Sequence, residues 1–116
     1  MHELPVVREV LKIALRYAEQ NQGKKIISIH LGVGELRDLV DIWMQKYFEY
    51  VSKGTIAEGA ILKVKKYPVI CQCNECNEFF TLHVHSAQIA VCPVCGKEDF
   101  TLVSGKEFLV EGIEII

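Results

Sequence analysis

Two segments of the chain carry apolar residues at helical spacing. The first runs from Leu4 to about Gln22, with an apolar stripe at Val7, Val10, Leu11, Ala14 and Ala18. Pro5 falls in its first turn, where a missing N–H costs nothing, and Gly23 is the expected stop. The second runs from Asp38 to about Lys53, with a stripe at Val40, Trp43, Met44, Tyr47, Phe48 and Val51. We interpret both stripes as core-facing.

Alternating apolar and polar positions predict strands in the rest of the chain. The predicted strands are Lys25 to Gly34, Ala60 to Val69, Phe79 to His85, and further strands between Phe100 and Ile116. In the first strand, the face directed at the helices should carry Ile27, Ile29, Leu31 and Val33. His30 then falls on the opposite face, where an exposed histidine is more common than a metal ligand.

Composition narrows the class of protein. Of the 116 residues, 50% are hydrophobic and 24% are charged, which is ordinary for a globular domain and argues against disorder. The net charge of −2 weighs against a nucleic-acid binder. The sequence shows no apolar run of about 18 residues, no signal-peptide pattern and no phosphate-binding glycine loop. We therefore expect a cytoplasmic protein without a membrane or nucleotide partner.

Two Cys-x-x-Cys pairs carry the clearest chemistry in the sequence. Cys73 and Cys76 form the first pair and Cys92 and Cys95 the second, separated by the fifteen residues 77–91. This arrangement brings four thiolates to one tetrahedral Zn²⁺ ion, and Gly96 relaxes the turn after the second pair. The alternative is a pair of disulfides, which needs an oxidising compartment that nothing in the sequence indicates.

These elements together predict an α+β fold, with two helices packed on a small, mostly antiparallel sheet and an inserted zinc-ribbon module. We expect an α+β domain at residues 1–68, completed by residues 103–116, and the zinc ribbon at residues 69–102. No nucleophile–base pair or carboxylate dyad is apparent, and a four-thiolate zinc site has no open position for catalysis. We therefore expect a protein that is not an enzyme.

Three further side chains lie near the cysteine pairs in the sequence. His83 and His85 share one face of the predicted strand, so both could reach a metal, although an exposed polar face is the simpler interpretation. Cys71 is most simply a buried thiol. Exchange of one of these three into the zinc site, or a redox switch using Cys71, is the less favoured alternative.

The N-terminal tripeptide is a second candidate metal site. The α-amine of Met1, the amide nitrogen and imidazole of His2, and the amide or carboxylate of Glu3 can surround one ion. Such a nitrogen-rich planar set suits Ni²⁺ or Cu²⁺ better than Zn²⁺. The alternative is an ordinary frayed chain end.

The motifs resemble the HypA/HybF family of hydrogenase nickel-incorporation proteins. The resemblance rests on Met1-His2-Glu3-Leu4, Val33-Gly34-Glu35-Leu36, Glu58-Gly59-Ala60-Ile61-Leu62, Cys92-Pro93-Val94-Cys95-Gly96 and Ser104-Gly105-Lys106-Glu107. It implies a nickel site at His2 beside Met1 and Glu3, and zinc on Cys73, Cys76, Cys92 and Cys95. Histidines between the two cysteine pairs, here His83 and His85, are implied to tune the zinc site.

The same resemblance implies a function and partners. It implies a nickel metallochaperone that works with a nickel-handling GTPase and delivers Ni²⁺ to the large subunit of nickel-iron hydrogenase, with urease as a further acceptor in some relatives. We expect a monomer or weak homodimer. The alternative function is a zinc-ribbon module that binds a protein or nucleic acid without transferring nickel, with Phe79 as a stacking platform.

Overall fold

A computed structural model of the chain describes residues 3–83 and 90–116. Its elements in chain order are α1 (Glu3–Gln20), β1 (Ile26–Gly34), a short 3-10 turn (Glu35–Arg37), α2 (Asp41–Val51), β2 (Ile61–Tyr67), β3 (Val69–Cys73), β4 (Phe79–Leu82), β5 (Phe100–Ser104) and β6 (Phe108–Ile115). Neither of the α-helices in these ranges has the length and apolar character that a bilayer crossing requires. The predicted α+β class with two helices is confirmed.

The strands divide into two three-stranded sheets. One has the order β2-β1-β6, and the other has the order β4-β3-β5, in which β3 pairs antiparallel with both neighbours. The sequence pattern predicts one small sheet, because alternation identifies strands without showing which strands pair. The predicted strand from Ala60 to Val69 ends at Tyr67, because Pro68 has no N–H to donate to a ladder, and β3 follows it.

The described chain forms two compact units. The first unit takes in the chain up to Gly32, Asp38–Lys65 and Leu109–Ile116. The second unit contains Val33–Arg37 and Lys66–Phe108, and so holds all five cysteines.

The core of the first unit lies between the helices and β1. Four of the five positions in the predicted α1 stripe are fully buried: Val7, Val10, Ala14 and Ala18. From α2, however, only Met44 and Phe48 are fully buried, while Val40 and Trp43 are 42% and 41% exposed. The ring of Trp43 instead lies 5.1 Å from the ammonium group of Lys46, a cation–π contact at the surface.

The start of α2 and the facing of the first residues of β1 differ from the sequence prediction. Helix α2 begins at Asp41 rather than Asp38, because Asp38 has a φ of +52°, which no helix can include. At the start of β1, Ile27 is 39% exposed and Ile26 is fully buried, the reverse of the predicted facing. Further along β1, Ile29, Leu31 and Val33 are buried as predicted.

A close backbone approach marks one edge of the second unit. The N–H of Gly34 donates to the carbonyl of Glu107 at 2.7 Å, and the N–H of Leu36 donates to the carbonyl of Gly105 at 2.9 Å. A Cβ on Gly34 would lie 2.1 Å from the carbonyl oxygen of Gly105, so no other residue fits there without backbone movement. The motifs Val33–Leu36 and Ser104–Glu107, which both carry the family resemblance, are therefore in direct contact.

Candidate metal centre

Four cysteine sulfurs meet in the second unit. The Sγ atoms of Cys73, Cys76, Cys92 and Cys95 all lie within 4.8 Å of one another. The sulfurs of Cys73 and Cys95 are 3.4 Å apart, and those of Cys76 and Cys92 are 3.6 Å apart. A tetrahedral Zn²⁺ with Zn–S bonds of about 2.3 Å requires S···S distances of about 3.8 Å. The four sulfurs therefore fit one Zn²⁺ ion with little movement.

Each cysteine pair sits in a turn, here called a knuckle, closed by two backbone hydrogen bonds of its first cysteine. In the first knuckle, the carbonyl of Cys73 accepts from Asn77 N–H at 2.9 Å and Cys73 N–H donates to the carbonyl of Glu78 at 2.9 Å. The second knuckle repeats both bonds, from Gly96 N–H to the Cys92 carbonyl at 2.8 Å and from Cys92 N–H to the Lys97 carbonyl at 2.9 Å. The two halves of the site thus have the same local fold.

The residue after each second cysteine adopts a left-handed conformation. Its φ is +63° at Asn77 and +74° at Gly96. The glycine at position 96 indicates this conformation from the sequence, whereas at Asn77 it was not predicted. Asparagine is among the few non-glycine residues that tolerate this region, so its position directly after Cys76 was the available signal.

The thiols of Cys73 and Cys76 differ in their readiness to ionise. Backbone N–H groups of Cys76 and then Glu75 hold the pKa of Cys73 at about 7 against the opposing effect of burial. At Cys76 the N–H of Glu78 acts downward, but burial and the Cys92 thiol outweigh it and raise the pKa to about 12. Metal binding requires all four as thiolates, so a divalent cation has to supply the charge that keeps the remaining thiols deprotonated.

The cluster has a buried side and an exposed side. Cys73 and Cys92 are buried with Val69 and Phe80 in the core of the second unit, whereas Cys95 is exposed. Cys71 belongs to the same core, fully buried in β3 as predicted, and its burial raises the pKa of its thiol. The four-sulfur group does not include Cys71.

Of the two inter-knuckle histidines, His83 lies among the described residues. His83 follows β4 directly and is exposed, and it is not a member of the four-sulfur group. Side chains alternate along β4, since Phe80 is 9% and Phe79 is 61% exposed. His85 lies outside the described residues, so its predicted position on the same face stays a prediction.

The structure describes the N-terminal tripeptide only from Glu3 onward, and Met1 and His2 lie outside the described residues. Glu3 is the first residue of α1, and its side chain is buried at 1% exposure. One carboxylate oxygen, Oε2, accepts the backbone N–H of Val40 at 3.1 Å. The other, Oε1, has no hydrogen-bond partner among the described residues.

A polar cluster on the sheet of the first unit was not foreseen from the sequence. Glu114 in β6 accepts hydrogen bonds at one carboxylate oxygen from the Ser28 hydroxyl, from His30 Nε2 at 3.0 Å and from Lys63 Nζ at 3.3 Å. These three donors, Ser28 first, lower the pKa of Glu114 to about 2. His30 is half exposed, in line with the prediction of a surface histidine. Its contact with Glu114 joins the neighbouring strands β1 and β6.

Comparison with known proteins identifies the family. Residues 1–115 match the family model described as "Hydrogenase/urease nickel incorporation, metallochaperone, hypA". Hydrogenase maturation factor HypA of Dehalococcoides mccartyi strain 195 is 34% identical over 115 residues, 99% of this chain and 94% of that protein. Hydrogenase maturation factor HybF of Escherichia coli K12 is 31% identical over 115 residues, 99% of each chain.

Solved structures agree at the level of the fold. The solution structure of the Ni metallochaperone HypA from Helicobacter pylori matches with a TM-score of 0.66 at 24% identity, covering 100% of this chain and 98% of that chain. A second solution structure of a HypA protein matches with a TM-score of 0.71 at 24% identity, covering 100% and 97%. Together with the match over nearly the whole sequence, these findings show that the chain belongs to the HypA family of hydrogenase/urease nickel-incorporation metallochaperones.

Proposed function

We propose that this chain is a nickel metallochaperone that binds Ni²⁺ at its N-terminus and delivers it during maturation of nickel-iron hydrogenase, with urease as a second candidate acceptor. The observation that carries the proposal is the family match over residues 1–115, which includes the Met-His-Glu start. A delivery protein has to bind its ion and then release it. A short, nitrogen-rich site at a chain end serves both demands, because few ligands need to be exchanged.

The proposed nickel ligands are the α-amine of Met1, the amide and imidazole nitrogens of His2, and one group of Glu3. Glu3 begins helix α1 and its carboxylate accepts the N–H of Val40, so the third residue of the proposed site has a fixed position. Because Oε2 of Glu3 is already engaged and the carboxylate is buried, the backbone amide of Glu3 is the better fourth ligand.

The proposed zinc ligands are Cys73, Cys76, Cys92 and Cys95, in the ribbon at residues 69–102. A bound Zn²⁺ would hold the two knuckles together and contribute on the order of 10 kcal/mol to folding of the ribbon. Four protein ligands leave no position for a reacting water, which supports a structural and not a catalytic ion. The protein is accordingly proposed to act as a carrier and not as an enzyme.

The proposed partners follow from this role. They are a nickel-handling GTPase and the large subunit of nickel-iron hydrogenase, met in the cytoplasm by a monomer or weak homodimer. Neither nucleic acid nor a membrane is proposed as a partner, since the net charge is −2 and no helix of the described residues is suited to cross a bilayer.

The test is nickel titration of untagged protein by calorimetry. His2→Ala should lose the tight site, because it removes the imidazole from the ligand set. A variant with two extra residues before Met1 should also lose it, because the α-amine is then no longer beside His2. His30→Ala is the matched control, since it removes a different, half-exposed imidazole of the same unit. Unchanged affinity in either N-terminal variant would rule out the proposed site.

One observation favours a second candidate, a zinc-ribbon binding module without nickel transfer. Phe79 is 61% exposed at the start of β4, where an aromatic ring can stack on a base. Salt-dependent RNA or DNA binding that Phe79→Ala abolishes would support this candidate. Tight nickel binding that requires His2, without such nucleic-acid binding, would exclude it.

A further inference from the structure

The two knuckles differ at the residue after their first cysteine, which is Asn74 in one and Pro93 in the other. Asn74 is bonded through its backbone N–H and through both polar atoms of its side chain. Its N–H donates to the Asp99 carbonyl at 3.0 Å, and its Nδ2 donates to Asp99 Oδ1 at 2.8 Å. Its Oδ1 accepts from the Thr101 hydroxyl at 2.9 Å. Pro93 has no N–H and no polar side chain, so the second knuckle has no equivalent.

Donor and acceptor chemistry fixes the orientation of this amide. An ionised carboxylate only accepts hydrogen bonds, so the nitrogen of the Asn74 side chain faces Asp99. The oxygen then faces Thr101, whose hydroxyl supplies the proton. Each group thus has the one partner that its chemistry allows.

The contacts continue a sheet into the metal centre. Strand β3 pairs with β5 through Gln72↔Thr101 and Cys73↔Phe100, and the regular ladder ends at Cys73. Asn74 extends the pairing by one further residue, through its contacts with Asp99 and Thr101.

The two ends of this link belong to different halves of the metal centre. Asn74 lies between Cys73 and Cys76, whereas Asp99 follows the second knuckle, four positions after Cys95. The side chains therefore connect the first knuckle to the segment that directly follows the second, independently of any ion. They do so beside the 3.4 Å contact between the sulfurs of Cys73 and Cys95, of which Cys95 is the exposed member.

We propose that Asn74 is a positioning residue for the metal centre, which with Asp99 and Thr101 holds the two knuckles at the four-sulfur spacing and slows release of the metal. This inference rests on the proposed zinc centre. An ion held by two separate loops is lost when one loop moves away from the other, and a link between the loops opposes that movement. Groups that orient metal ligands in this way typically change metal affinity by about 10–100-fold when they are removed.

The experiment measures the rate at which zinc passes from the full-length protein to an excess of a chromophoric chelator. In Asn74→Ala and Thr101→Val we expect release about ten-fold faster than in the wild type, at the lower end of the usual range because both bonds are exposed to water. Thr101→Ser keeps the hydroxyl and should restore the wild-type rate. Thr81→Val, at an exposed position of the neighbouring strand β4, should leave the rate unchanged.

A second readout separates positioning from general loosening of the fold. The cobalt-substituted variants should keep the absorption bands of a four-thiolate site, since no ligand is altered, while they exchange cobalt faster. Wild-type release rates in both Asn74→Ala and Thr101→Val would overturn the inference and leave the zinc centre intact. A wild-type protein that holds neither zinc nor cobalt would overturn the proposed zinc centre itself. Should Asn74→Ala fail to fold, the comparison of Thr101→Val with Thr101→Ser decides.

Discussion

The buried carboxylate of Glu3 accepts the backbone N–H of Val40 at 3.1 Å, although the two residues lie 37 positions apart. Val40 is the N-cap of α2, and no side chain of its own caps that helix. Glu3 therefore makes from α1 the bond that a glutamate inside the helix makes in a capping box. Its negative charge also lies at the positive end of the α2 dipole. The residue that anchors the proposed nickel ligands is thus fixed to the start of the second helix.

Removal of the Glu3 carboxylate should destabilise the first unit. Glu3→Ala leaves the Val40 N–H without its partner in a buried site, and we expect a loss of about 1–3 kcal/mol in the free energy of unfolding. Glu3→Gln keeps an acceptor oxygen and the side-chain volume and should lose less. Urea denaturation measures the difference, with Glu9→Ala on the exposed face of α1 as the control. Equal losses in Glu3→Ala and Glu9→Ala would contradict the assigned role.

The same glutamine variant distinguishes the two candidate nickel ligands of Glu3. Since the carboxylate is bonded to Val40, we expect the backbone amide to bind nickel and Glu3→Gln to keep the wild-type affinity. Nickel titration of the folded variant provides the measurement. A loss of about ten-fold or more, equivalent to about 1.4 kcal/mol, would instead assign the carboxylate as the fourth ligand.

Nickel affinity should fall on acidification. The free imidazole and α-amine take up protons with pKa values of about 6.5 and 8, and each proton competes with the metal. We therefore expect binding to weaken below about pH 8 and more steeply below about pH 6.5, where the imidazole is protonated as well. Titrations at several pH values check this, with zinc content measured in parallel to show that the ribbon stays loaded. A constant affinity between about pH 7.5 and 5.5 would contradict a site built from these groups.

An alanine at Gly34 should be poorly tolerated. Its Cβ would lie 2.1 Å from the Gly105 carbonyl oxygen and 2.7 Å from the Lys106 nitrogen, both of which are backbone atoms that cannot rotate away. We expect a cost of about 3 kcal/mol in chemical denaturation of the zinc-loaded protein. The control is Gly112→Ala in β6, where the nearest atom would be 4.0 Å away and the cost should be small. Similar stabilities for the two variants would show that the backbone approach is not tight.

The Glu114 cluster should make stability depend on pH in acid solution. In the folded protein the pKa of Glu114 is lowered from 4.5 to about 2 by Ser28, His30 and Lys63, so folding favours the ionised carboxylate. Its contribution is therefore complete above pH 4.5 and is lost as the pH falls from 4.5 toward 2. The stability difference between wild type and Glu114→Gln should shrink over that window. Glu58→Gln, at an exposed turn position, provides the control, and a difference independent of pH would contradict the assignment.

Local sequence patterns were sufficient for both helices, for most of the strands and for the four clustered cysteines, although they did not predict β3 as a separate strand. The α1 stripe and the buried face of β1 from Ile29 onward follow from residue spacing, because helix and strand periods are set by the backbone. The cysteine pairs could be identified for a similar reason, since a Cys-x-x-Cys knuckle is a local structure with a fixed ligand spacing. The nickel proposal also comes from the sequence, because Met1 and His2 lie outside the described residues.

The tertiary structure alone decided which distant groups meet. The division into two sheets, the bond from Val40 to Glu3, the approach of Gly34 to Gly105 and the donors around Glu114 all join residues far apart in the chain. A pattern of apolar and polar positions states which face of an element is buried, but not what it is buried against. Those partners are determined only in the folded chain, where distant segments come together and each buried polar group needs a hydrogen-bond partner.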